Sequence, residues 1–222
     1  EVGEIFVIDN ASSDDTYEIA VDFKERSKMN NLKIIKNEKN LGYGGSQKKA
    51  YSYAVKEGFQ IIVMLHGDAQ YSPEYIQDII RPLQNEEADF VFGSRITGNP
   101  LEGGMPKWRY FGNRILTKIQ NYVLNLNLSE YHSGYRAFKI SSLNKLPFQG
   151  LSDNYHFDNE IFILFSLAGM KIKEVPIPTI YSEDSKSPSI LETIRYSLDI
   201  IIDLLKFIFH RHGIRKEEKF SI

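Results

Sequence analysis

Four short apolar runs, each followed within a few residues by a stretch of helical pattern, constrain this chain more than any other feature. The segments "GEIFVID" (3–9), "LKIIKN" (32–37), "QIIVML" (60–65) and "ADFVFGS" (88–94) read as buried strands. Between them, "DDTYEIAVDFKERSKM" (14–29), "GSQKKAYSYAVKEG" (45–58) and "PEYIQDIIRPLQN" (73–85) read as helices. Acids open the first, Gly58 closes the second and Pro73 starts the third. Alternation at this spacing requires crossover connections, and so predicts an α/β fold with a mostly parallel sheet and helices on both faces.

After residue 95 the rhythm changes. A Gly/Pro-rich loop (96–107) leads to a helix near 108–126, a short strand at 134–139, a helix near 157–169, strands within 171–181 and a long helix from about 188 to 212. The 222 residues hold 27 Lys+Arg against 29 Asp+Glu, a formal net charge of −2, so there is no broad basic field for nucleic acid. With no cysteine, disulfide frameworks, thiolate zinc sites and Cys nucleophiles are excluded. No apolar run in the sequence is long enough to span a bilayer.

Ligands of open parallel sheets sit beyond the carboxyl ends of the strands, so the residues following each strand are the first candidates. They are Asp9, Asn10, Ser12, Ser13 and Asp15 after the first, Gly42, Gly44 and Gly45 after the second, His66, Asp68 and Gln70 after the third, and Arg95 after the fourth. Acceptors for a base and ribose, a hard-oxygen ligand for a divalent cation and glycine-rich backbone suit a nucleoside diphosphate. Each feature also has a plainer use: turns and helix caps for Asp9 and the serines, a packed edge for His66, solvated surface for the arginines.

In order along the chain, "VIDNASSDDT", "NLGYGGSQKKAYSYAVKEG", "HGDAQYSPE", "GSR", "RYFGNRILT", "SEYHSGYRAF", "FDNE" and "VPIPTIY" resemble the family 2 glycosyltransferases of GT-A fold. The nearest branch is that of dolichol-phosphate mannosyltransferases and bacterial polyprenol-phosphate glycosyltransferases. The resemblance implies an inverting transfer from a nucleotide-diphosphate sugar, a Mg²⁺ or Mn²⁺ cofactor, base contact at Asp9, and metal ligation at Asp68 with Gln70 beside it. Asn10 replaces an acid of the family pattern, and His66 stands where the first acid of the metal motif usually is. The family's opening strand and helix are absent, and their strand belongs between 3–9 and 60–65. The resemblance therefore predicts an N-terminally incomplete transferase domain over 1–187, with a nucleotide half (1–95) and an acceptor half (96–187), followed by a helix and basic tail (188–222).

A polyprenyl-phosphate acceptor is already ionised, so it calls for arginines rather than a base. Arg109 and Arg136 are the first choices, with Arg95 and Arg114 nearby in sequence. A hydroxyl acceptor, as on a glycan, would instead need a carboxylate, and Glu130, Asp158 and Glu160 are the candidates. The terminal helix, "LDIIIDLLKFIF" (198–209) with the basic "HRHGIRK" (210–216), suits core, a dimer face or the cytoplasmic face of a membrane equally. Two other functional readings stay open on sequence: a sugar-1-phosphate nucleotidyltransferase, and a non-catalytic relative that binds a nucleotide or a membrane partner.

Overall fold

The computed structural model describes residues 3–68, 70–178 and 189–222. Six strands appear: β1 (Ile5–Asp9), β2 (Leu32–Lys36), β3 (Ile61–Met64), β4 (Phe90–Ser94), β5 (Arg136–Lys139) and β6 (Ile172–Pro176). The helices are α1 (Thr16–Ser27), α2 (Gly42–Lys56), α3 (Ile76–Gln84), α4 (Lys107–Leu124), the single turn α5 (Ile140–Leu143), α6 (Phe157–Leu167) and α7 (Ile190–Arg211). Part of the strand region expected at 171–181 (residues 179–181) and the boundary expected at 187/188 lie outside the described residues.

The strand order is β3-β5-β4-β6, with β1 and β2 forming a separate parallel pair. β3, β4 and β6 run one way and β5 runs against them, paired antiparallel to both β3 and β4. Among the described residues β1 makes no ladder with β3.

Alternation across β4 and β5 sorts the core. Phe90, Phe92 and Phe138 point into an aromatic cluster with Tyr51 of α2 and Phe162 and Phe165 of α6, which α7 extends through Ile200, Leu204 and Phe207. Val91 and Ala137, one residue out of phase, face Ile79 and Leu83 of α3 on the other side. α6 is buried from Phe157 through Phe165 without interruption, so its acids Asp158 and Glu160 lie inside the protein.

Local rules explain the helix ends. At the close of α2, Gly58 takes φ 73° while the Gly58 and Phe59 amides donate to the carbonyls of Val55 and Ala54, a Schellman stop. α7 begins with a capping box in which Ser189 and Glu192 exchange side-chain and backbone hydrogen bonds. α2 starts earlier than the sequence pattern suggests: Gly42, Gly44 and Gly45 form its first turn rather than a loop before it.

Candidate active site

The carboxyl end of β1 is closed by its own hydrogen bonds. Asp9 is buried, and its carboxylate accepts the Ser12 amide at 3.2 and 3.3 Å, while Ala11 turns the chain at φ 59°. Asn10 spends its whole amide group internally. Its Oδ1 accepts from Asn37 Nδ2 (3.0 Å) and the Leu41 amide (2.9 Å), and its Nδ2 donates to Asn40 Oδ1 (2.9 Å) and the Gly42 carbonyl (3.3 Å). Asn10 therefore pins the start of α2 to β1. Ser12 and Asp15 are exposed, and Asp15 precedes α1 without a side-chain cap bond.

The glycine-rich turn is occupied by the protein's own backbone. The Gly44 and Gly45 amides donate to the Asp153 carbonyl at 2.8 and 3.4 Å. A Cβ on Gly42 would lie 2.4 Å from the Asp153 oxygen, and one on Gly44 would lie 2.3 Å from the Ser152 oxygen. Gly42 also holds φ 77°. Of the two uses open to such a turn, the glycines serve close approach of neighbouring chain, and the cradle expected for phosphate is filled.

Beneath the strand ends lies a buried polar chain. Tyr43 donates its hydroxyl hydrogen to Asp158 Oδ2 at 2.8 Å, and Asp158 Oδ1 accepts from Arg136 Nη1 (2.8 Å) and Gln47 Nε2 (3.2 Å). Tyr43 has only one hydrogen, so the 3.0 Å contact with His66 runs from His66 Nε2–H to the phenol oxygen, which fixes the imidazole tautomer. Burial, partly offset by the Asp158 and Asp68 charges, holds His66 below its ordinary pKa, while burial and the Asp158 charge push Tyr43 well up. His66 also packs against the chain at Gly134, where a Cβ would stand 2.3 Å from the ring.

Arg136 is the correction of most consequence. It is 1% exposed, its guanidinium is shared among the Asp158 carboxylate and the carbonyls of Ser133, Tyr131 and Asp158, and it lies 5.3 Å over the Phe162 ring. It holds β5 to α6 and cannot reach an acceptor. Arg95 and Glu130 form a second buried pair. Glu130 accepts from the Arg95 side chain (2.6 and 3.1 Å), the Arg95 amide (2.5 Å), the Ile96 amide (3.3 Å) and Asn113 Nδ2 (3.2 Å). Burial works against the carboxylate, but the Arg95 charge and hydrogen bonds hold Glu130 below the ordinary carboxylate range. Glu160 is likewise taken, by the Ser152 amide at 2.6 Å and by Lys219.

Asp68 is different. It is exposed at the end of β3, and its Oδ1 accepts the Gln70 amide at 3.1 Å while its other oxygen has no hydrogen bond among the described residues. A Mg²⁺-type ion is commonly held by one or two carboxylates with substrate phosphates and water completing the shell, so a single carboxylate with a free oxygen fits that role. His66 does not join it, its Nε2 being turned to Tyr43. The described residues contain one cluster of ligand type, His156, Glu160 and Asp203, but the Lys219 ammonium already sits on both carboxylates, 2.8 Å from Asp203. An internal cation thus occupies that cup. Arg109 lies in the first turn of α4 beside Trp108, half-buried, and Arg114 is exposed on the same helix.

Sequence reasoning missed Tyr43 and Gln47, which bond Asp158, Asn113, which bonds Glu130, and Asn37, which bonds Asn10. Tyr43 lay inside the quoted glycine motif, and its spacing from Gln47 on one helix face was the available signal.

A sheet of mixed direction with helices on both faces has the GT-A fold. Glucosyl-3-phosphoglycerate synthase from Mycobacterium tuberculosis, solved with Mn²⁺, UDP-glucose and phosphoglyceric acid, shares this fold with a TM-score of 0.68 at 20% identity, over 93% of this chain and 69% of that one. The chain belongs to glycosyl transferase family 2, whose profile matches residues 2–147. It is a glycosyltransferase, which removes the nucleotidyltransferase reading. The UDP-N-acetylglucosamine–dolichyl-phosphate N-acetylglucosaminyltransferase of Methanococcus voltae is 34% identical over 192 residues, covering 82% of this chain and 76% of its own. An undecaprenyl-phosphate mannosyltransferase of Micrococcus luteus is 23% identical over 185 residues, covering 83% and 74%.

Proposed function

We propose that this glycosyltransferase moves a sugar from a nucleotide-diphosphate sugar to a polyprenyl phosphate at the cytoplasmic face of a membrane. One observation carries the choice of acceptor. The three carboxylates named as bases for a hydroxyl acceptor are each paired with a cation: Glu130 with Arg95, Asp158 with Arg136, Glu160 with Lys219. An acceptor that arrives ionised needs no such base. Two relatives named for dolichyl or undecaprenyl phosphate support the same reading.

In this reaction a phosphate oxygen of the acceptor bonds to the anomeric carbon as the bond from that carbon to the diphosphate oxygen breaks, and the nucleoside diphosphate departs with the electron pair. The exposed turn after β1, which Asp9 shapes through the Ser12 amide, faces the nucleoside, and Asp68 would hold Mg²⁺ or Mn²⁺. Such a cation, when bound, would supply positive charge against the diphosphate leaving group. Arg109 meets the acceptor phosphate. No helix among the described residues is long and apolar enough to cross a membrane.

Calorimetric titration with UDP and GDP, with and without Mn²⁺, tests the donor site. Asp68→Asn is expected to weaken Mn²⁺-dependent nucleotide binding by at least about ten-fold. Equal binding by the variant removes Asp68 from the metal role, and transfer to a glycan hydroxyl in preference to polyprenyl phosphate overturns the acceptor assignment.

A further inference from the structure

The cup formed by His156, Glu160 and Asp203 is only partly met by the cation it holds. His156 is the residue before α6 and Glu160 follows one turn later, so the two share a helix face, and Asp203 reaches them from α7. One ligand atom from each lies within 4.8 Å of the other two. The Lys219 ammonium, carried in by the chain after α7, donates to Glu160 Oε1 and to Asp203 Oδ1. Two acceptors are left over: Asp203 Oδ2 and His156 Nδ1 are buried and have no hydrogen-bond partner among the described residues. Asp203 is 2% exposed, so bulk solvent does not meet its remaining oxygen.

A proton does not resolve the shortfall. An Nδ1–H on His156 would face Asp199 Oδ2 at 3.9 Å, beyond hydrogen-bond length, and would leave Asp203 Oδ2 unmet. Charge points the same way, because Glu160, Asp203 and Asp199 bring three carboxylates to one ammonium. Carboxylates withdrawn from water in that excess call for a cation of higher charge. One imidazole nitrogen with two carboxylate oxygens is a donor set that suits Zn²⁺, whereas Mg²⁺ prefers an octahedron of oxygens. Bonds of about 2.0–2.2 Å to a tetrahedral ion set ligand atoms about 3.4 Å apart, so the widest pair would close by up to about 1.4 Å. Glu160 Oε2 is taken by the Ser152 amide, so the oxygen left for a metal is the one Lys219 holds.

We propose that His156, Glu160 and Asp203 form a Zn²⁺ site for which Lys219 is a built-in plug, the metal and the ammonium competing for the same two carboxylates. The plug has a way out: the Lys219 side chain is 16% exposed and belongs to the single turn Glu218–Phe220. Phe220, buried against Phe207, anchors that turn when the ammonium moves away. The site draws on neither Asp68 nor Arg109, so its failure would leave the transfer reading standing.

The test is calorimetric titration of Zn²⁺ into the full chain carrying Asp68→Asn, without nucleotide, which removes the heat of the donor site. This parent is expected to bind one equivalent. His156→Ala removes a ligand at a position that makes no side-chain capping bond, and is expected to weaken binding at least about ten-fold. Lys219→Met keeps the aliphatic stem, removes the competitor, and is expected to tighten binding at least about ten-fold. The proposal is overturned if the parent takes up no Zn²⁺, or if Lys219→Met binds no more tightly than the parent. Equal binding by the parent and His156→Ala also overturns it, assigning the metal to exposed histidines such as His212, and that comparison stands even where Lys219→Met does not fold.

Discussion

Replacing Arg136 separates a structural guanidinium from a ligand-binding one. In Arg136→Met the Asp158 carboxylate, 6% exposed, keeps its bonds from Tyr43 and Gln47 but loses its countercharge, and the carbonyls of Ser133, Tyr131 and Asp158 lose their donor. Removing one member of a buried ion pair costs about 3–5 kcal/mol, and three stranded carbonyls put this variant near the upper end, about 5 kcal/mol. Asp158→Asn leaves the guanidinium still bonded to those carbonyls, so its cost belongs near the lower end, about 3 kcal/mol. Arg136→Met combined with Asp158→Asn removes both charges together and should cost less than the sum of the two single changes by at least about 2 kcal/mol. Urea unfolding followed by far-ultraviolet circular dichroism measures all four proteins. Since whole domains are stable by only about 5–15 kcal/mol, the predicted losses are large shifts of midpoint. A midpoint for Arg136→Met within about 1 kcal/mol of wild type, together with weakened acceptor or nucleotide binding, would refute the argument and restore the ligand role read from the sequence.

Two glycines test the close approach at α2 by contrast. Gly44→Ala drives a methyl against the Ser152 oxygen and to 2.7 Å from Phe157 Cβ and should cost about 2–3 kcal/mol, while Gly112→Ala on α4 meets nothing and should gain about 0.5–1 kcal/mol. Urea midpoints that reverse those signs would contradict the packing. His132 supplies a pH dependence: burial pushes its imidazole down to about 3, and its Nε2 has no partner among the described residues. Its unfolded form takes up a proton near pH 6.5 and its folded form does not until about 3, so its contribution is full above 6.5 and lost progressively as the pH falls toward 3. Between pH 6.5 and 5 the wild type should therefore lose up to about 2 kcal/mol more than His132→Gln. Parallel stability curves for the two proteins would show His132 to be solvated.

What could be read in advance follows from how local each feature is. β1 to β4 and the helices between them were legible because apolar period and end signals such as Gly58 and Pro73 act over a few residues. The reversal of β5 was not, since antiparallel pairing of Arg136–Lys139 with both β3 and β4 depends on partners more than forty residues earlier in the chain. The sequence offers Arg136 and Arg95 as phosphate ligands and Glu130 and Asp158 as candidate bases, whereas the structure pairs Arg95 with Glu130 and Arg136 with Asp158. A charge in a sequence has no visible counterion, and only burial reveals that it needed one.

The sequence by itself determined the α/β class, the order of the elements and the glycosyltransferase family, because those depend on residue type at short spacing. Tertiary structure decided which strand-end groups the protein's own bonds occupy: Asn10, Gly44 and Arg136 are taken, while one Asp68 oxygen has no hydrogen bond among the described residues. It also brought Lys219 onto Glu160 and Asp203. Both follow from the same physical fact: polar groups withdrawn from solvent must find partners, and the partners lie far along the chain.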